Sequence, residues 1–453
     1  MTSKYLIADF VRRRPVWEVI EKALLSLVLI DLALGGNGYL VKVGSFRLRE
    51  ILFAFCIPWS ALRLAKVNPI RLDPILVGTM ILFVVVTAFD AIFGYLNGSR
   101  PGAIIAELKP LSYFAMLPFF LVAIRTRADL TLTACILVVS GTLLAIAYSL
   151  LLLTGKTGLI SSDAIFDTLV ASDEFIFRTG NQFIGFLYKG MFYVCIATFF
   201  LILDPFRFTK ILAALGAVSI AMTLTRGLGF ALILSLLIGV LLNRCWRLAF
   251  TVAGLCALTA VVMFVAQRAE QRILVGLGAL PSVTQPATSH GREAPSNIDT
   301  ASALAKSMQR PTDMQRTSDI NYVFEHLNLS TLVGGHGLGS PVDGRERIEM
   351  TYAEILHKQG ILGLSVWIIL LAYLLRLYLA VPAETKHFGL AFFLSGLFVY
   401  LATATNTFLT GSIGMAVVFI SIAGLLVLAH EDRRPMSQSE WYGDWRFTSP
   451  RAT

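Results

Sequence analysis

The sequence predicts an all-α membrane protein that crosses the bilayer many times. Of its 453 residues, 56% are hydrophobic and 15% are charged, whereas charged residues approach a quarter of a soluble globular domain. The apolar residues collect into runs that approach the roughly 20 residues a helix needs to cross the hydrocarbon core. Basic residues recur in alternate short connections, as the positive-inside rule requires of a polytopic chain.

About twelve transmembrane helices are predicted by a hydropathy window of roughly 19 residues. Some of the runs are short, so the count is a hypothesis. The predicted spans lie near 17–35, 50–65, 74–96, 110–124, 130–153, 188–204, 208–225, 228–243, 248–266, 361–381, 388–405 and 411–429.

The connections set the predicted orientation, because translocation of short basic loops is disfavoured. Arginine and lysine recur in alternate connections, for example at Arg12, Arg63, Arg125 and Arg247. With twelve spans these residues all face the cytoplasm, as do both termini. They also account for most of the formal net charge of +9, so the charge gives no reason to expect a nucleic-acid partner.

Neither the N-terminus nor the cysteines indicate a functional site. The opening MTSKYLIADFVRRRPVW has the basic start of a signal peptide, but no small-residue cleavage site follows, so we expect it to be retained. All cysteines lie in or at the ends of apolar runs, and no CxxC spacing occurs. Neither a disulfide framework nor a metal site is therefore predicted.

The outer face receives two long segments, 154–187 and 267–350. The second begins with a stretch rich in Ser, Thr, Pro and Ala that has little to bury. Farther on, apolar residues at helical spacing predict an amphipathic helix near 316–332, lying on the membrane or on the bundle. Its apolar face would consist of Ile320, Val323, Phe324 and Leu327. The predicted units are an N-terminal bundle of about nine spans (1–266), an outer loop (267–350), C-terminal spans (351–432) and a cytoplasmic tail (433–453).

An arginine separates two apolar runs in AMTLTRGLGF at 221–230. Arginine at membrane depth costs a few kcal/mol and persists where it snorkels, pairs or binds an anion. The predicted topology places Arg226 at the outer surface, beside the hydroxyls of Thr223 and Thr225 and before Gly227, which opens the next helix. Guanidinium groups and helix N-termini both bind phosphate oxygens. Snorkelling stays open as an alternative, and the neighbouring residues favour an anion.

Further candidates lie in the two outer segments. Arg178 in FRTGNQ could hold the same anion or be an ordinary loop residue. Glu349 is a candidate general base, and a solvated helix face is the alternative interpretation. His336 lies between glycines that could leave it free to reach a ligand. Part of one helix face above the membrane would be formed by Glu349, Tyr352, Glu354 and His357.

Two glycine-rich stretches do not fit a nucleotide site. TGKTG at 154–158 lacks the earlier glycine of a phosphate loop, where Leu150 stands, and GHGLG lies outside any strand–turn–helix unit. Gly335 and Gly337 predict instead a backbone with unusual dihedral angles or in close contact with a neighbour.

GGHGLGSP followed by IEMTYAEILHKQGILGLSVWIILLAYLL resembles the O-antigen ligase and polysaccharide polymerase superfamily of bacterial membrane glycosyltransferases. TLTRGLGF is similar to the Thr-x-Ser/Thr-Arg-Gly element of that family, with Arg226 as its arginine. FRTGNQFIGF is similar to its Arg-x-x-Gly-Asn element, with Arg178, Gly180 and Asn181. SFRLREILF and ELKPLSYFAMLPFFLV are similar to its early spans. The resemblance covers most of the chain in a consistent order.

The resemblance implies a C-type glycosyltransferase-like bundle in the bacterial inner membrane with an active site facing the periplasm. It implies that undecaprenyl-diphosphate-linked oligosaccharide repeat units are polymerised into a cell-surface or exported polysaccharide. Besides membrane lipid, a flippase and a chain-length regulator of the same pathway would be partners. No cofactor, nucleotide or metal is implied, because the lipid already energises the donor.

In such a reaction an acceptor hydroxyl attacks the donor anomeric carbon and the lipid diphosphate leaves, so fixed positive charge is needed where negative charge grows. Arg226 and Arg178 would bind the diphosphate, with Arg345 and Arg347 as helpers. Glu349 or His336 would accept the hydroxyl proton. The supporting residues would be Gly227, Asn181, Gly335, Gly337 and Tyr352.

One departure from the family bears on the reaction. Many members carry a His-Asn pair where this chain has Glu349 and Met350, which favours a polymerase over a ligase that transfers glycan to lipid A core. A lipid-linked glycan transporter or flippase is a further alternative, as is a scaffold subunit. Against transport stand the long outer loop and the scarcity of acidic residues in the spans, where Asp31 and Asp90 are the main exceptions.

Overall fold

The computed structural model describes residues 16–36, 42–43, 46–64, 73–157, 175–177, 186–204, 207–223, 225–243, 246–276 and 311–430. Most of these residues lie in α-helices, which confirms the predicted all-α polytopic class. The strands in these ranges form two short antiparallel ribbons. β1 (Lys42–Val43) pairs with β2 (Phe46–Arg47), and β3 (Phe175–Phe177) pairs with β4 (Phe186–Tyr188).

Every predicted span coincides with a helix of the described part of the chain. Seven helical segments there are long and apolar enough to cross a membrane, and three shorter apolar helices accompany them. The count of twelve spans stays a prediction. The helices are α1 (Val16–Leu34), α2 (Leu48–Leu64), α3 (Pro74–Leu96), α4 (Pro101–Leu111), α5 (Leu117–Ala123), α6 (Arg127–Thr157), α7 (Met191–Leu203), α8 (Arg207–Met222), α9 (Arg226–Asn243), α10 (Trp246–Gly276), α11 (Pro311–Glu325), α12 (Leu329–Gly334), α13 (Thr351–Ala380), α14 (Lys386–Thr403) and α15 (Ser412–His430).

The centre of the bundle is formed by α14 and α15. In the most apolar stretch of each helix, 72% of the α14 residues and 83% of the α15 residues are buried. Aromatic rings fill the space around them: Phe192 of α7 lies 4.9 Å from Phe398 of α14, between ring centroids, and Phe114 lies 5.2 Å from Phe419 of α15. Because α15 buries residues on all its faces, protein rather than lipid surrounds it.

One helix extends beyond its predicted span. Residues 97–109 lie between two predicted spans, but α4 begins at Pro101 and continues through a 3₁₀ turn, Ser112–Met116, into α5. Proline at the first helical position favours this start because its missing N–H would be unpaired there in any case. Pro110 cannot donate within the helix and accounts for the change to a 3₁₀ turn.

A glycine divides α13 into two parts. Gly360 has a φ of +62° and a ψ of −161°, which are not helical values. A Cβ there would clash with the carbonyl oxygen of Val333 in α12, so the break is also the place where α12 packs. The polar turns before Gly360 and the apolar turns after it correspond to the polar helix and the span that the sequence indicated.

Helices α11 and α12 occupy the region of the predicted amphipathic helix. Val323 of α11 is buried against Val342 and Ile348 of the connection that leads to α13. Phe324, which the sequence assigned to the same apolar face, is 64% exposed. The packed face of α11 is therefore narrower than the spacing predicted.

Ion pairs join helix ends at both poles of the bundle. At one pole, buried Glu21 of α1 pairs with Arg63 of α2 and with Arg125, at 3.3 and 2.7 Å. Two connections that the sequence placed on one face thus do meet at one end. At the other pole, Arg49 of α2 binds Asp31 of α1 at 2.8 Å and Ser412 of α15 at 2.9 Å. That second pole carries the candidate site.

Candidate active site

The glycine loop, which we define as residues 335–339, packs between two helices. Gly335 and Gly337 have φ values of +69° and +87°, which residues with a side chain rarely adopt. A Cβ on Gly335 would clash with the carbonyl oxygen of Lys358 in α13, and one on Gly337 would clash with the amide nitrogen of Gly94 in α3. The predicted unusual backbone and close contact are confirmed for both glycines.

A buried lysine joins the glycine loop to α4 and α13. The ammonium group of Lys358 donates to Glu107 Oε1 at 2.6 Å, to Glu354 Oε1 at 2.8 Å and to the carbonyl oxygen of Glu346 at 2.6 Å. The side chains of Lys358 and Glu107 are 3% and 6% exposed. The second oxygen of Glu107 accepts from the backbone N–H of Gly339 at 2.9 Å. All three ammonium protons have partners, and a carboxylate fastens the loop to α4.

Arg226 begins α9 at this same pole of the bundle, and its side chain is exposed. Gly227 lies against the connection between α14 and α15, where an added Cβ would clash with the hydroxyl of Thr405. The start of α9 can therefore approach this connection only because residue 227 has no side chain. Exposed Arg226 thus directly precedes the residue that packs on Thr405.

The hydroxyls of the two threonines before Arg226 donate to backbone carbonyl oxygens. Both are buried, and the hydroxyl of Thr223 donates to the carbonyl oxygen of Ile220 at 2.7 Å. The hydroxyl of Thr225 donates to the carbonyl oxygen of Thr223 at 3.4 Å. The expectation that these hydroxyls donate to an anion beside Arg226 is wrong, because Thr223 donates to the last turn of α8 and Thr225 donates to Thr223.

Glu349 forms an ion pair with an arginine that the sequence had not singled out. Its Oε2 accepts from Nε and Nη2 of Arg316 in α11, at 3.0 and 2.6 Å. The same guanidinium donates to the carbonyl oxygen of Thr405 at 3.3 Å. Gly227, which follows Arg226, also packs on Thr405, so the start of α9 and the pair of Arg316 and Glu349 meet at one connection. We name Arg226, Arg316, Glu349 and Thr405 the outer cluster.

The two other predicted anion-binding arginines on this surface have separate partners. Arg345 forms an ion pair with Asp319 of α11, whose side chain is 2% exposed. Arg347 is exposed and donates to the carbonyl oxygen of Ala106 in α4 at 3.4 Å. Arg345 thus holds α11 onto the connection that precedes α13, whereas Arg347 lies on the α4 side of the glycine loop.

His336 is held in a stack of rings. Its Nδ1 lies 3.0 Å from the carbonyl oxygen of His357, and the two imidazole rings stack at 4.2 Å between centroids. The expectation that the flanking glycines leave His336 free is corrected, because the positive-φ backbone brings its ring onto His357. Tyr352 donates its hydroxyl to the carbonyl oxygen of Tyr400 at 2.6 Å, so it braces α13 against α14.

The remaining predicted site residues, Arg178 and Asn181, lie outside the described residues. Their place beside the outer cluster stays a prediction.

Sequence reasoning missed Arg316, Lys358 and Glu107. Lys358 had a local signal, since Glu354 lies four residues before it, a spacing that favours an ion pair along a helix. Glu107 had a weaker one, as a lone carboxylate in the apolar stretch PGAIIAEL. Arg316 belongs to a polar helix where charged residues are ordinary, and only its contact with Glu349 distinguishes it.

Comparison with known proteins supports the resemblance. The chain is similar to the O-antigen polymerase of Shigella flexneri, at 23% identity over 411 residues, which cover 89% of this chain and 94% of that protein. No protein-family model matches the chain. Because the match extends over most of both proteins, it is not the chance likeness of one short motif, and it confirms the similarity to the O-antigen ligase and polysaccharide polymerase superfamily.

Proposed function

We propose that this protein is a multi-pass enzyme of the bacterial inner membrane that polymerises lipid-linked oligosaccharide repeat units into a polysaccharide. The similarity to an O-antigen polymerase over most of the chain supports polysaccharide polymerisation and a membrane location in general terms. In the finer proposal, the donor is an undecaprenyl-diphosphate-linked oligosaccharide, the outer cluster faces the periplasm and both termini lie in the cytoplasm. A flippase would deliver the donor, and a chain-length regulator would act on the product.

One observation carries the finer proposal: the start of α9, which carries exposed Arg226, packs on the same connection that Arg316 and its partner Glu349 reach. Guanidinium groups bind phosphate oxygens through paired N–H donors. Arg226 at the start of α9 adds its side chain to the backbone N–H groups of a helix N-terminus, which also favour anions. A diphosphate bridging Arg226 and Arg316 would have its negative charge matched on both sides.

The chemistry follows from this placement. The acceptor hydroxyl oxygen forms a bond to the donor anomeric carbon as the bond from that carbon to the diphosphate oxygen breaks. The bonding electron pair stays on the diphosphate, where Arg226 and Arg316 stabilise it. Glu349, which Arg316 holds beside Thr405, accepts the hydroxyl proton. Arg178 would complete the diphosphate site from the first outer segment.

The geometry favours Glu349 over His336 as the base. Glu349 is 59% exposed at its side chain and lies next to the proposed diphosphate site. His336 is half-buried, stacks on His357 and has its Nδ1 at that residue's carbonyl oxygen. A base must reach the proton it removes, and Glu349 meets this requirement on the surface that Arg226 shares.

The proposal is tested with the protein purified in lipid nanodiscs and incubated with undecaprenyl-diphosphate repeat units from its own host. We expect a ladder of lengthening lipid-linked chains from the wild type. Arg226→Ala should lower the rate about 100-fold, the loss typical when one group that stabilises a developing negative charge is removed. Arg100→Ala, at an exposed arginine that precedes α4, is the matched control and should retain the ladder.

The same assay separates the alternatives. Product that forms only when lipid A core is supplied would identify a ligase. No bond formation with a proven native donor, together with movement of the donor between leaflets, would identify a transporter. Equal ladders from wild type and Arg226→Ala would remove Arg226 from the mechanism.

A further inference from the structure

An open cleft lies beside the glycine loop. It lies where α4, the glycine loop, the first turns of α13 and the connection between α14 and α15 meet. One part of its lining is apolar and consists of Pro110, Leu111, Leu338 and Ile355. The polar part consists of Glu107, Arg347, Glu354, Lys358, Gln359 and Thr410.

The polar groups of the cleft divide into those already engaged and those available to a ligand. Lys358 binds Glu107, Glu354 and the carbonyl oxygen of Glu346, and the second oxygen of Glu107 accepts from Gly339, so both charged groups are fully engaged. Glu354 uses only Oε1, for Lys358, and keeps Oε2 for a ligand. Arg347 donates one long hydrogen bond, of 3.4 Å, and has four further N–H groups. The hydroxyl of Thr410 can donate or accept.

These available groups suit a neutral molecule with many hydroxyls. An anion would meet the carboxylates of Glu354 and Glu107, and a cation would meet Lys358 and Arg347. A lipid chain would have to desolvate the same charges. A sugar ring presents hydroxyls at its edge and C–H groups on its face, so it matches a carboxylate, a guanidinium and a hydroxyl set around apolar side chains.

The cleft adjoins the outer cluster along the chain in two places. Arg347 of the cleft is two residues from Glu349, and Thr410 follows Thr405 in the connection between α14 and α15. A saccharide in the cleft could therefore extend a hydroxyl towards Glu349 while the donor diphosphate occupies the Arg226 side. The donor and acceptor would then be bound by different sets of residues.

We propose that this cleft binds the acceptor saccharide of the polymerisation reaction, with Glu354, Arg347 and Thr410 holding its hydroxyls. The proposal rests on the proposed function for the identity of the saccharide. It distinguishes two classes of residue: those of the outer cluster, which bind the diphosphate, and those of the cleft, which bind sugar.

The test measures sugar binding without catalysis. The probe is the host's own oligosaccharide repeat unit, released from its lipid diphosphate by mild acid, and binding is followed by saturation-transfer NMR and calorimetry on the full-length protein in nanodiscs. Glu354→Gln and Thr410→Val should each weaken binding about tenfold, since each removes one ligand hydrogen bond. Thr410→Val leaves the Lys358 network unchanged, which guards against misfolding as the cause. Glu325→Gln, at an exposed carboxylate of α11, is the matched control.

The outcomes separate this proposal from the proposed function. Binding weakened by both cleft variants and unchanged by Glu325→Gln and Arg226→Ala supports the acceptor cleft, even if no polymer forms in any assay. Equal binding by wild type, Glu354→Gln and Thr410→Val overturns it, even if the polymer ladder is normal. Absence of binding by wild type at probe concentrations that inhibit or prime the ladder also overturns it.

Discussion

Removal of Lys358 should destabilise the protein more than removal of any exposed lysine that makes an equally short ion pair. Lys358 and Lys109 both approach a glutamate oxygen to 2.6 Å, but their side chains are 3% and 59% exposed. Breaking a buried ion pair from one side typically costs about 3–5 kcal/mol, because the remaining charge stays buried without a partner. An exposed pair contributes about 0–1 kcal/mol. The comparison keeps the shortest donor–acceptor distance the same, while burial and the number of partners differ.

The loss at Lys358 is expected at the upper part of that range. Lys358→Met leaves two carboxylates, Glu107 and Glu354, facing each other with side-chain exposures of 6% and 12%. It also leaves the carbonyl oxygen of Glu346 without the donor it has at 2.6 Å. We therefore expect a loss of about 4–5 kcal/mol for Lys358→Met and less than about 1 kcal/mol for Lys109→Met.

The assay is reversible unfolding of the purified protein in mixed micelles by increasing sodium dodecyl sulfate, followed by circular dichroism. The triple variant Lys358→Met, Glu107→Gln and Glu354→Gln removes every buried charge of the network and should recover most of the loss. A loss below about 1 kcal/mol for Lys358→Met would refute the assignment of Lys358 to a desolvated network. A triple variant as unstable as the single one would show that the lost bond to Glu346, rather than the charges, dominates.

Three further predictions follow from the loop, the outer cluster and the topology. Gly337→Ala should abolish the polymer ladder while the protein still reaches the membrane, because the new Cβ meets Gly94 at a φ of +87°; Gly78→Ala, with no atom within 4 Å of its Cβ, should be silent. Arg316→Gln and Glu349→Gln should each slow chain growth about 10–100-fold, and the double variant should be no slower than the slower single one, because the two residues act as a unit. Alkaline phosphatase fused within residues 281–315 should be active and a fusion in 433–453 inactive; the reverse pattern would overturn the proposed mechanism.

The helices were largely predictable because each needs only a local apolar run. All twelve predicted spans coincide with helices of the described residues, and the polar turns before Gly360 were also indicated by the sequence. The start of α4 was missed because PGAIIAELKPL carries two charges and two prolines, which lower its hydropathy without preventing a helix. Hydropathy thus locates membrane segments better than it locates their ends.

The site was predictable residue by residue but not pair by pair. Arg226 and Glu349 were identified from local patterns, yet Arg316, which pairs with Glu349, and Thr405, on which Gly227 packs, come from distant parts of the chain. Lys358 and Glu107 are 251 residues apart, and no periodicity within either helix specifies such a contact. His336 was mispredicted in the opposite direction. Its flanking glycines suggested a side chain free to reach a ligand, but its ring stacks on His357.

The enclosure of α14 and α15 has a consequence for biogenesis. Translation runs from the N-terminus, so the two helices that fill the middle of the bundle leave the ribosome after all the other described helices. Until they arrive, the surrounding helices have no partner for the faces that later pack on Phe398 and Phe419. Until α14 and α15 are inserted, the earlier helices therefore remain in lipid, or beside an insertion chaperone, with the centre of the bundle unfilled. A chain that stops before Lys386 would lack both central helices, α14 and α15, and would become a substrate for membrane quality control.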